Sequence, residues 1–360
     1  MSEQVYIIAE AGVNHNGDPD MALALVDAAA DAGVDAVKFQ TFKANLLVTD
    51  DAPKADYQKE TTGSSESQLQ MLQRLELSYA HHHTLMARCR QKGIDFLSTA
   101  FDHQSLEFLV DDLRLSRLKI PSGELTNAPL VLAHAQQGCE LIVSTGMATL
   151  AEIEAALGVI AFGLTMPPDH PPSQVAFAQS LASAAGQHAL QQRVILLHCT
   201  TEYPAPVSEV NLTAMNSLAE RFGLKVGYSD HTAGITVPIA AVALGATLIE
   251  KHFTLDRNLE GPDHLASLEP TELGDMVTAI RTVQDALGDG VKAPQPSELK
   301  NRAIARKSLV AASDIIAGDI YTSDNVTTKR PEGGLSPARY WDILGKKAPV
   351  DIRRGAFVRD

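Results

Sequence analysis

The chain alternates between short apolar runs and longer segments in which apolar residues recur every three or four positions. The first run, VYIIA at Val5–Ala9, is apolar throughout, as expected of a strand buried on both faces. After a polar loop, Asp18 can cap a helix that has Pro19 in its first turn and Gly33 just beyond its end. A second apolar run, DAVKF, follows, so this stretch predicts one β-α-β unit.

The same alternation continues and predicts eight strands and eight helical segments. Strands are predicted near residues 5–9, 35–40, 94–99, 117–120, 141–144, 194–199, 225–229 and 247–252. Helical patterns lie near residues 19–32, 66–92, 103–113, 128–137, 149–163, 211–222, 235–245 and 270–287. Doubly wound sheets also alternate strands with helices, so it is the number of units that favours a (β/α)8 barrel.

Polar side chains follow nearly every predicted strand, which is where active sites lie in such barrels. Residues two apart in a strand face the same way, which pairs Lys38 with Gln40, Ser229 with His231, and Glu250 with His252. The other polar residues at these ends are Glu10, Thr99, Lys119, Ser122, Glu124, Ser144 and His198. Isolated polar groups at strand ends are common, but two lysines among so many indicate a functional site.

The last part of the chain has a different pattern. The predicted barrel occupies residues 1–290, and a segment with two prolines and several charges predicts a linker at 291–307. Short β-type runs follow at 308–360, where DIIAG at 314–318 and DIRRG at 351–355 suggest two similar turns. A module of about 55 residues buries little apolar surface alone, so we expect it to pack on another surface.

Composition narrows the classes of function. Of 360 residues, 45% are apolar, and 44 acidic against 30 basic residues give a net charge of −14. Without a long basic run, this charge argues against nucleic acid or an anionic membrane as the main partner. The N-terminus lacks signal-peptide features, and no apolar run approaches the roughly 18 residues of a membrane span. Three scattered cysteines fit neither a disulfide framework nor a zinc site, so we expect a cytoplasmic protein.

Many segments of the chain resemble the sialic acid synthase family, the phosphoenolpyruvate-dependent nonulosonate synthases. They are EAGVNHNGD, VKFQTFKA, FLSTAFD, KIPSGE, STGMAT, HCTTEYPAP, GYSDHT, EKHFTLD, GPDHLAS and TTKRP, in the family's order. They span Ile7 to about Arg330, and the tail resembles the antifreeze-like (SAF) domain that ends these enzymes. The resemblance implies a (β/α)8 TIM barrel followed by a small C-terminal β-rich SAF domain.

The implied reaction joins C3 of phosphoenolpyruvate to the aldehyde of an open-chain N-acylated amino sugar. Water adds at C2, phosphate leaves by C–O cleavage, and a nine-carbon 2-keto acid results. Lysine ammonium groups would neutralise the phosphate and carboxylate, and hydroxyls would add directional donors. The residues that match the family's phosphoenolpyruvate-binding positions are Lys38, Thr99, Lys119, Ser122, Ser144 and Ser229.

The resemblance also places a divalent metal on His231 and His252, where it would polarise the aldehyde as a Lewis acid. A lone histidine is more often structural than a ligand, but two at neighbouring strand ends favour a metal site. Two protein ligands would leave positions for water and sugar oxygens. The family metal is usually Mn2+, with Mg2+ or Co2+ as substitutes. The run His81–His83 is not expected to bind metal, because consecutive helical residues face about 100° apart.

Three carboxylates match acidic site positions of the family. We expect Glu10 to activate water or relay protons near the metal, and Glu124 and Asp263 to hold sugar hydroxyls. Glu250 is interpreted as a structural hydrogen-bond acceptor. Side chains expected to shape the pocket are Gln40, Phe101 and Tyr203.

Two residues bear on the acceptor and on assembly. Thr201 lies where synthases that use N-acetylmannosamine often carry Asn, and Thr is familiar in relatives that use 2,4-diacetamido-2,4,6-trideoxymannose to make legionaminic acid. The sequence therefore favours the second sugar. Arg330 matches a family arginine that reaches the sugar's N-acyl group from the other subunit, which predicts a domain-swapped homodimer. The alternative is a surface arginine in a domain that docks on its own barrel.

Two other functions are compatible with such a barrel. One is a related aldolase that condenses phosphoenolpyruvate with a phosphorylated aldose, which would need a second anion site. The other is a sugar-binding barrel without catalytic activity. Retention of both lysines, both histidines and the carboxylates argues against the second alternative.

Overall fold

The computed structural model describes residues 4–63 and 66–360. The chain divides into two compact units, Met1–Gly288 and Asp289–Asp360. Each unit has a hydrophobic core of its own. Among the described residues, none of the helices combines the length and apolar character that crossing a bilayer requires.

Eight parallel strands in the first unit close into a barrel in sequence order, which confirms the predicted (β/α)8 architecture. Strand β1 pairs with both β2 and β8, so the sheet has no free edge. The strands are β1 (Tyr6–Gly12), β2 (Ala36–Thr41), β3 (Asp95–Ala100), β4 (Arg117–Ile120), β5 (Glu140–Ser144), β6 (Val194–His198), β7 (Lys225–Asp230) and β8 (Leu248–His252).

Helices connect these strands. Those of the first unit are α1 (Pro19–Asp31), α2 (Ala44–Leu47), α3 (Asp56–Thr62), α4 (Gln68–Leu75), α5 (Tyr79–Lys92), α6 (His103–Glu107), α7 (Ala128–Gln136), α8 (Leu150–Thr165), α9 (Gln174–Ala182), α10 (Ala184–Arg193), α11 (Ala214–Phe222), α12 (Thr236–Ala243) and α13 (Pro270–Leu287). A π-helical turn, Phe108–Asp112, continues α6. Helix α1 begins as its sequence predicts, because the Asp18 carboxylate accepts hydrogen bonds from the Asp20 and Met21 amides.

Several helical regions differ from the sequence pattern. Helices α2 and α3 lie between β2 and the helix predicted at 66–92, where no element was predicted. The single helix predicted over 66–92 is two helices, because residue Glu76 is extended and Ser78 caps α5 by accepting from the His81 amide. Helices α9 and α10 lie between α8 and β6, where no element was predicted. They pack on α8 through residues such as Phe177 and Leu190, so they thicken the outer layer without adding a strand.

The barrel interior is built in layers that follow from the two-residue period of strands. An apolar layer fills its lower part with Ile8, Ala36, Leu97, Ile142, Leu197 and Leu248. Two residues further along these strands, the inward positions are Glu10, Lys38, Thr99, Ser144, Cys199 and Glu250. One more step of two brings Gln40 and His252 to the same side. The fold therefore places charged and polar groups directly above an apolar floor.

The second unit contains α14 (Pro296–Ala305), β9 (Ser308–Ala311), β10 (Val326–Lys329) and α15 (Tyr340–Ile343). Helix α14 occupies the segment predicted as a linker. Its prolines are compatible with a helix because Pro296 lies in the first turn, where no intrahelical N–H is required. The Glu298 carboxylate accepts a 2.7 Å hydrogen bond from the Gln295 amide and completes this helix start.

The two similar turns predicted in this unit face each other. Ile315 and Ile352 form an antiparallel bridge in which each amide donates to the other's carbonyl at 2.8 Å. The Asp314 carboxylate accepts from the Arg354 amide, and Asp351 accepts from the Ala317 amide, both at 2.7 Å. Each DI turn thus caps the other, which explains the repeated motif.

A fully buried ion pair joins the outer faces of β7 and β8. Lys251 Nζ donates to Asp230 Oδ2 at 2.6 Å and also to the Thr232 carbonyl oxygen. The Tyr228 hydroxyl and the Thr232 amide and hydroxyl donate to the same carboxylate. Lys251 and Asp230 are both 0% exposed. Since His231 and His252 are their sequence neighbours, this network fixes the backbone that carries both histidines.

We therefore expect Lys251→Met to lower the free energy of unfolding by about 3–5 kcal/mol, because Asp230 would be left as a buried charge without its cation. The matched control is Lys92→Met, which removes a surface pair with Asp31 and should cost less than about 1 kcal/mol. Urea denaturation followed by circular dichroism measures both changes. Equal, small losses in the two variants would contradict this account of the buried pair.

Candidate active site

A cavity of about 310 Å³ lies at the carboxyl ends of the barrel strands. Every residue predicted to bind substrate or metal or to act in catalysis lines it except Arg330, which belongs to the second unit. His198, another polar residue at a predicted strand end, lies outside the lining, and its Nε2 atom donates to the Val210 carbonyl oxygen at 2.6 Å. The predicted residues in the lining are Glu10, Lys38, Gln40, Thr99, Phe101, Lys119, Ser122, Glu124, Ser144, Thr201, Tyr203, Ser229, His231, His252 and Asp263.

Four buried charges form the deepest polar part of the cavity, and we call them the charge cluster: Glu10, Lys38, Lys119 and Glu250. Lys38 Nζ lies 2.7 Å from Glu10 Oε2 and 3.6 Å from Glu250 Oε2, and Lys119 Nζ lies 3.1 Å from Glu250 Oε1. The four residues are between 2% and 5% exposed. Two positive and two negative charges balance, as burial at this depth requires.

Glu250 is the acceptor that its interpretation as a structural residue implied, but it also belongs to the site. Its Oε1 atom accepts hydrogen bonds from Lys119 Nζ and from the Ser229 hydroxyl, the latter at 2.9 Å. It thus holds both lysines in the cavity. The two-residue spacing between Glu250 and His252 already indicated that both side chains face the barrel interior.

The protonation of the charge cluster differs between its two carboxylates. Burial raises the pKa of Glu10 to about 7, against the opposing effect of Lys38 and with a further increase from Glu250. Burial also acts to raise the pKa of Glu250, but Lys119 and Lys38 outweigh it, and the net pKa is lowered. Glu10 is therefore the group of this cluster that exchanges a proton near neutral pH.

Hydroxyl groups surround the lysines. Lys38 Nζ donates to the Thr99 hydroxyl at 3.0 Å, and the Gly146 amide donates to Ser122 Oγ at 3.0 Å. A Cβ atom on Gly146 would lie 2.3 Å from Thr201 Oγ1 and 2.8 Å from Ser122 Oγ, so only glycine fits at this position. The backbone at Gly146, just after β5, therefore packs directly against the side chains of Thr201 and Ser122 at the edge of the cavity.

Several buried polar atoms of the lining have no hydrogen-bond partner within the described part of the chain. Those outside the charge cluster are Ser144 Oγ, Thr201 Oγ1 and His252 Nδ1. Buried polar atoms in folded proteins are almost always paired. Their concentration in one cavity indicates that a polar ligand completes their hydrogen bonding.

His231 and His252 face each other, with ring centroids 5.5 Å apart. His231 Nδ1 donates to the Thr200 carbonyl oxygen at 2.6 Å, so Nε2 is the unprotonated nitrogen and accepts a 3.2 Å hydrogen bond from the Tyr203 hydroxyl. Burial lowers the pKa of both histidines. Both rings are therefore neutral at pH 7, which is the form that binds metal ions.

Few side chains at this place in the cavity could bind a metal ion. Over residues 4–63 and 66–360, no group of three or more His, Cys, Asp or Glu side chains has the arrangement of a metal site. The histidine pair fits a metal held by two protein ligands, since His252 Nδ1 is buried without a partner. By contrast, His82 Nε2 is engaged with the Thr41 hydroxyl at 2.8 Å and His83 is exposed, so the HHH run does not converge.

Asp263 lies beside the histidines, with its Oδ2 atom 3.9 Å from His252 Nδ1, and burial raises its pKa to about 6. Asn14, which sequence reasoning missed, supports this loop. Its side-chain amide donates to Ser267 Oγ at 2.9 Å, and that hydroxyl donates to the Asp263 carbonyl at 2.6 Å. Glu124 lies elsewhere in the lining, where its carboxylate accepts from the Asn127 amide group at 2.7 Å.

One wall of the cavity was not predicted. It comes from the part of the β2–β3 connection that precedes α5 and contains α2, α3 and α4. The spacing along α4 could have identified an apolar face, but nothing in the sequence indicates what that face contacts. The lining residues from this connection are Leu47, Val48, Gln58, Gln68, Met71, Leu72 and Leu75.

Comparisons with known proteins identify the class. The NeuB family model matches residues 25–292, and the SAF domain model matches residues 306–360. The chain therefore belongs to the NeuB family and ends in a SAF domain.

Several named proteins are similar to this chain over most of its length. The N,N'-diacetyllegionaminic acid synthase of Campylobacter jejuni is 49% identical over 99% of this chain and 100% of its own length. The protein of that name from Legionella pneumophila is 44% identical over 97% of this chain and 92% of its own. The solved N-acetylneuraminic acid synthetase of Leptospira borgpetersenii is 33% identical, with a TM-score of 0.67, and the match covers 83% of this chain and 90% of that one.

Proposed function

We propose that the chain is a nonulosonic acid synthase that condenses phosphoenolpyruvate with an open-chain N-acylated amino sugar. The observation that carries this proposal is the presence, in one cavity, of a buried lysine pair with hydroxyls and an adjacent pair of neutral histidines. The first group suits a small dianionic or trianionic substrate, and the second suits activation of an aldehyde. The names of the two relatives that are 49% and 44% identical agree with this chemistry.

Phosphoenolpyruvate would bind at the charge cluster. Lys38 and Lys119 would pair with its phosphate and carboxylate, with hydroxyl donors from Thr99, Ser122, Ser144 and Ser229. Ser144 Oγ is buried without a partner in the described structure, so it is available to such a ligand.

His231 and His252 would hold a divalent metal, which we propose to be Mn2+, with Mg2+ or Co2+ as substitutes. The metal would act as a Lewis acid on the aldehyde. Tyr203, whose ring centroid lies 4.3 Å from that of His231, would pack beside the aldehyde end of the sugar. Asp263 would accept hydrogen bonds from sugar hydroxyls, and its raised pKa of about 6 suits a group that also relays protons.

In the reaction, C3 of phosphoenolpyruvate forms a bond to the aldehyde carbon, and the aldehyde oxygen gains a proton. Water adds at C2 and loses a proton, for which Glu10 is the proposed acceptor because of its raised pKa. The bond between C2 and the bridging oxygen then breaks, phosphate leaves with that oxygen, and the proton of the C2 hydroxyl passes to the phosphate as the keto group forms. The product is the nine-carbon 2-keto acid.

The acceptor that we propose is 2,4-diacetamido-2,4,6-trideoxymannose, which gives legionaminic acid. Thr201 Oγ1 is a buried, unpartnered atom in the described lining, so it is available to an acyl group of the sugar. The alternative acceptor, N-acetylmannosamine, would give N-acetylneuraminic acid, the product for which the Leptospira borgpetersenii synthetase at 33% identity is named. An aldolase for a phosphorylated aldose would need a second anion site. Among the described lining residues, the lysines and arginines are Lys38 and Lys119, and both are already assigned to phosphoenolpyruvate.

We further propose that Arg330 completes the site of a second subunit. A small unit gains stability by docking on a larger surface, and a barrel mouth needs a cover that excludes water. Trp341 is 77% exposed and Ile316 is 66% exposed, so this unit presents apolar side chains that such docking would cover.

The first prediction concerns the metal. His231→Ala and His252→Ala should each remove most phosphate release from phosphoenolpyruvate and leave the fold nearly unchanged. Chelation of the unmodified protein should do the same, and Mn2+ should restore the rate. His83→Ala, an exposed histidine, is the control and should keep full activity. Full activity in excess chelator would exclude the metal.

The second prediction follows from the charge cluster. Because the pKa of Glu10 is about 7, an anion bound beside it should raise that pKa further, and phosphoenolpyruvate binding should take up protons at pH 8. Calorimetric titrations of metal-free protein in Hepes and in Tris should give enthalpies that differ by the buffers' ionisation heats. Glu10→Gln should abolish the difference, and Glu124→Gln, outside the cluster, should keep it. Buffer-independent enthalpies for the unmodified protein would overturn this assignment.

The third prediction tests completion of the site by a second subunit. An Arg330→Ala chain and a His231→Ala chain should each be nearly inactive alone. Co-expressed with different affinity tags, they should form hybrid dimers in which one site is intact, so about half the activity of that dimer returns. Hybrid dimers no more active than either parent would show that Arg330 does not act across subunits.

A further inference from the structure

We infer that the cavity wall from the β2–β3 connection selects an acceptor whose sixth carbon is a methyl group rather than a hydroxymethyl group. This inference rests on the proposed function and assigns a specificity role to Leu47 and Leu72. Both line the cavity and are partly exposed there, so they are available to contact a ligand.

The wall is mostly apolar, although the β2–β3 connection that forms it is rich in charged residues. The connection carries many charges, but among its described side chains none of the charged ones lines the cavity. Five apolar side chains and two glutamine amides face inward instead. The described charged residues of the connection that lie outside the lining are Lys43, Asp50, Asp51, Lys54, Asp56, Lys59, Glu66, Arg74, Glu76, Arg88, Arg90 and Lys92.

A small core supports the wall from behind. Met71, Leu75, Val13 and Phe42 are each at most 4% exposed and form a cluster separate from the barrel core. Leu47, Leu72 and Phe101 pack against this cluster and face the cavity. Because Met71 and Leu75 are fixed by packing, the wall is a preformed apolar surface and not a flexible loop.

The remaining polar groups of the cavity have other assignments. The charge cluster and its hydroxyls would hold phosphoenolpyruvate, and the histidine pair would hold the aldehyde end of the sugar. Glu124, Thr201 and Tyr203, from the loops after β4 and β6, offer partners for the sugar's oxygen and amide groups. The wall on the β2–β3 side therefore remains for the end of the sugar that is farthest from the aldehyde.

Against Leu47 and Leu72, a hydroxyl group at that end would lose its hydration without gaining a hydrogen bond from either side chain, whereas a methyl group would gain burial. An apolar pocket rejects an analogue that adds one hydroxyl by up to about 100-fold in kcat/KM. We therefore expect a preference of about 10- to 100-fold for the 6-deoxy acceptor over its 6-hydroxy counterpart.

Two sugars that differ only at C6 test this inference: 2,4-diacetamido-2,4,6-trideoxymannose and 2,4-diacetamido-2,4-dideoxymannose. Phosphate release from phosphoenolpyruvate gives kcat/KM for each. Leu47→Gln should reduce the preference to about threefold or less, mainly by improving use of the 6-hydroxy sugar. Leu46→Gln is the matched control, because this adjacent residue of α2 is 52% exposed and lies outside the lining. It should keep the full preference.

Leu72→Gln on α4 is an independent second variant, in case Leu47→Gln fails to fold. Equal kcat/KM for the two sugars in the unmodified protein would overturn the inference and leave the proposed synthase activity intact. A preference that survives both Leu47→Gln and Leu72→Gln would also overturn it. Absence of phosphate release with either sugar and with N-acetylmannosamine would overturn the proposed function and, with it, this inference.

Discussion

Two lysines buried inside a barrel impose the constraint on which the rest of the site depends. Lys38 and Lys119 are 3% and 5% exposed, and a charge at that depth is stable only with a partner. Glu10 and Glu250 supply the partners, so the cluster is neutral as a whole. A bound anion adds negative charge to this balance, and protonation of Glu10 would offset one unit of that charge. The two lysines thus need the carboxylates for the stability of the barrel, and the same lysines would pair with the proposed substrate.

The period of two along the strands makes this cluster possible. Inward side chains change from an apolar layer to the charge cluster within two residues, as from Ile8 to Glu10 and from Leu248 to Glu250. The next inward step from Glu250 reaches His252, so the proposed anion and aldehyde sites would be stacked along the barrel axis. On the outer face, Lys251 and Asp230 lock β7 to β8 where the two histidines leave the sheet.

The sequence predicts the parts of this arrangement that depend on local periodicity. The barrel, the same-face pairs and the residues at the strand ends follow from apolar runs and two-residue spacing. The wall of α2 and α4 could not be predicted, because an amphipathic pattern does not reveal which surface its apolar face meets. The bridging position of Glu250 and the bond from His231 to the Thr200 carbonyl also depend on tertiary contacts between distant strands. At Pro296, a proline that indicated a linker instead begins a helix, since the two signals are identical locally.

The central claim is that this cavity joins phosphoenolpyruvate to an acylated amino sugar with cleavage of the C–O bond. Phosphoenolpyruvate labelled with 18O at the bridging oxygen tests it most directly, with 2,4-diacetamido-2,4,6-trideoxymannose as acceptor and Mn2+ present. Mass spectrometry of both products follows the label. The account predicts a nine-carbon keto acid without label and phosphate that carries it. Label retained in the keto acid, or phosphate release that does not require the sugar, would contradict the account.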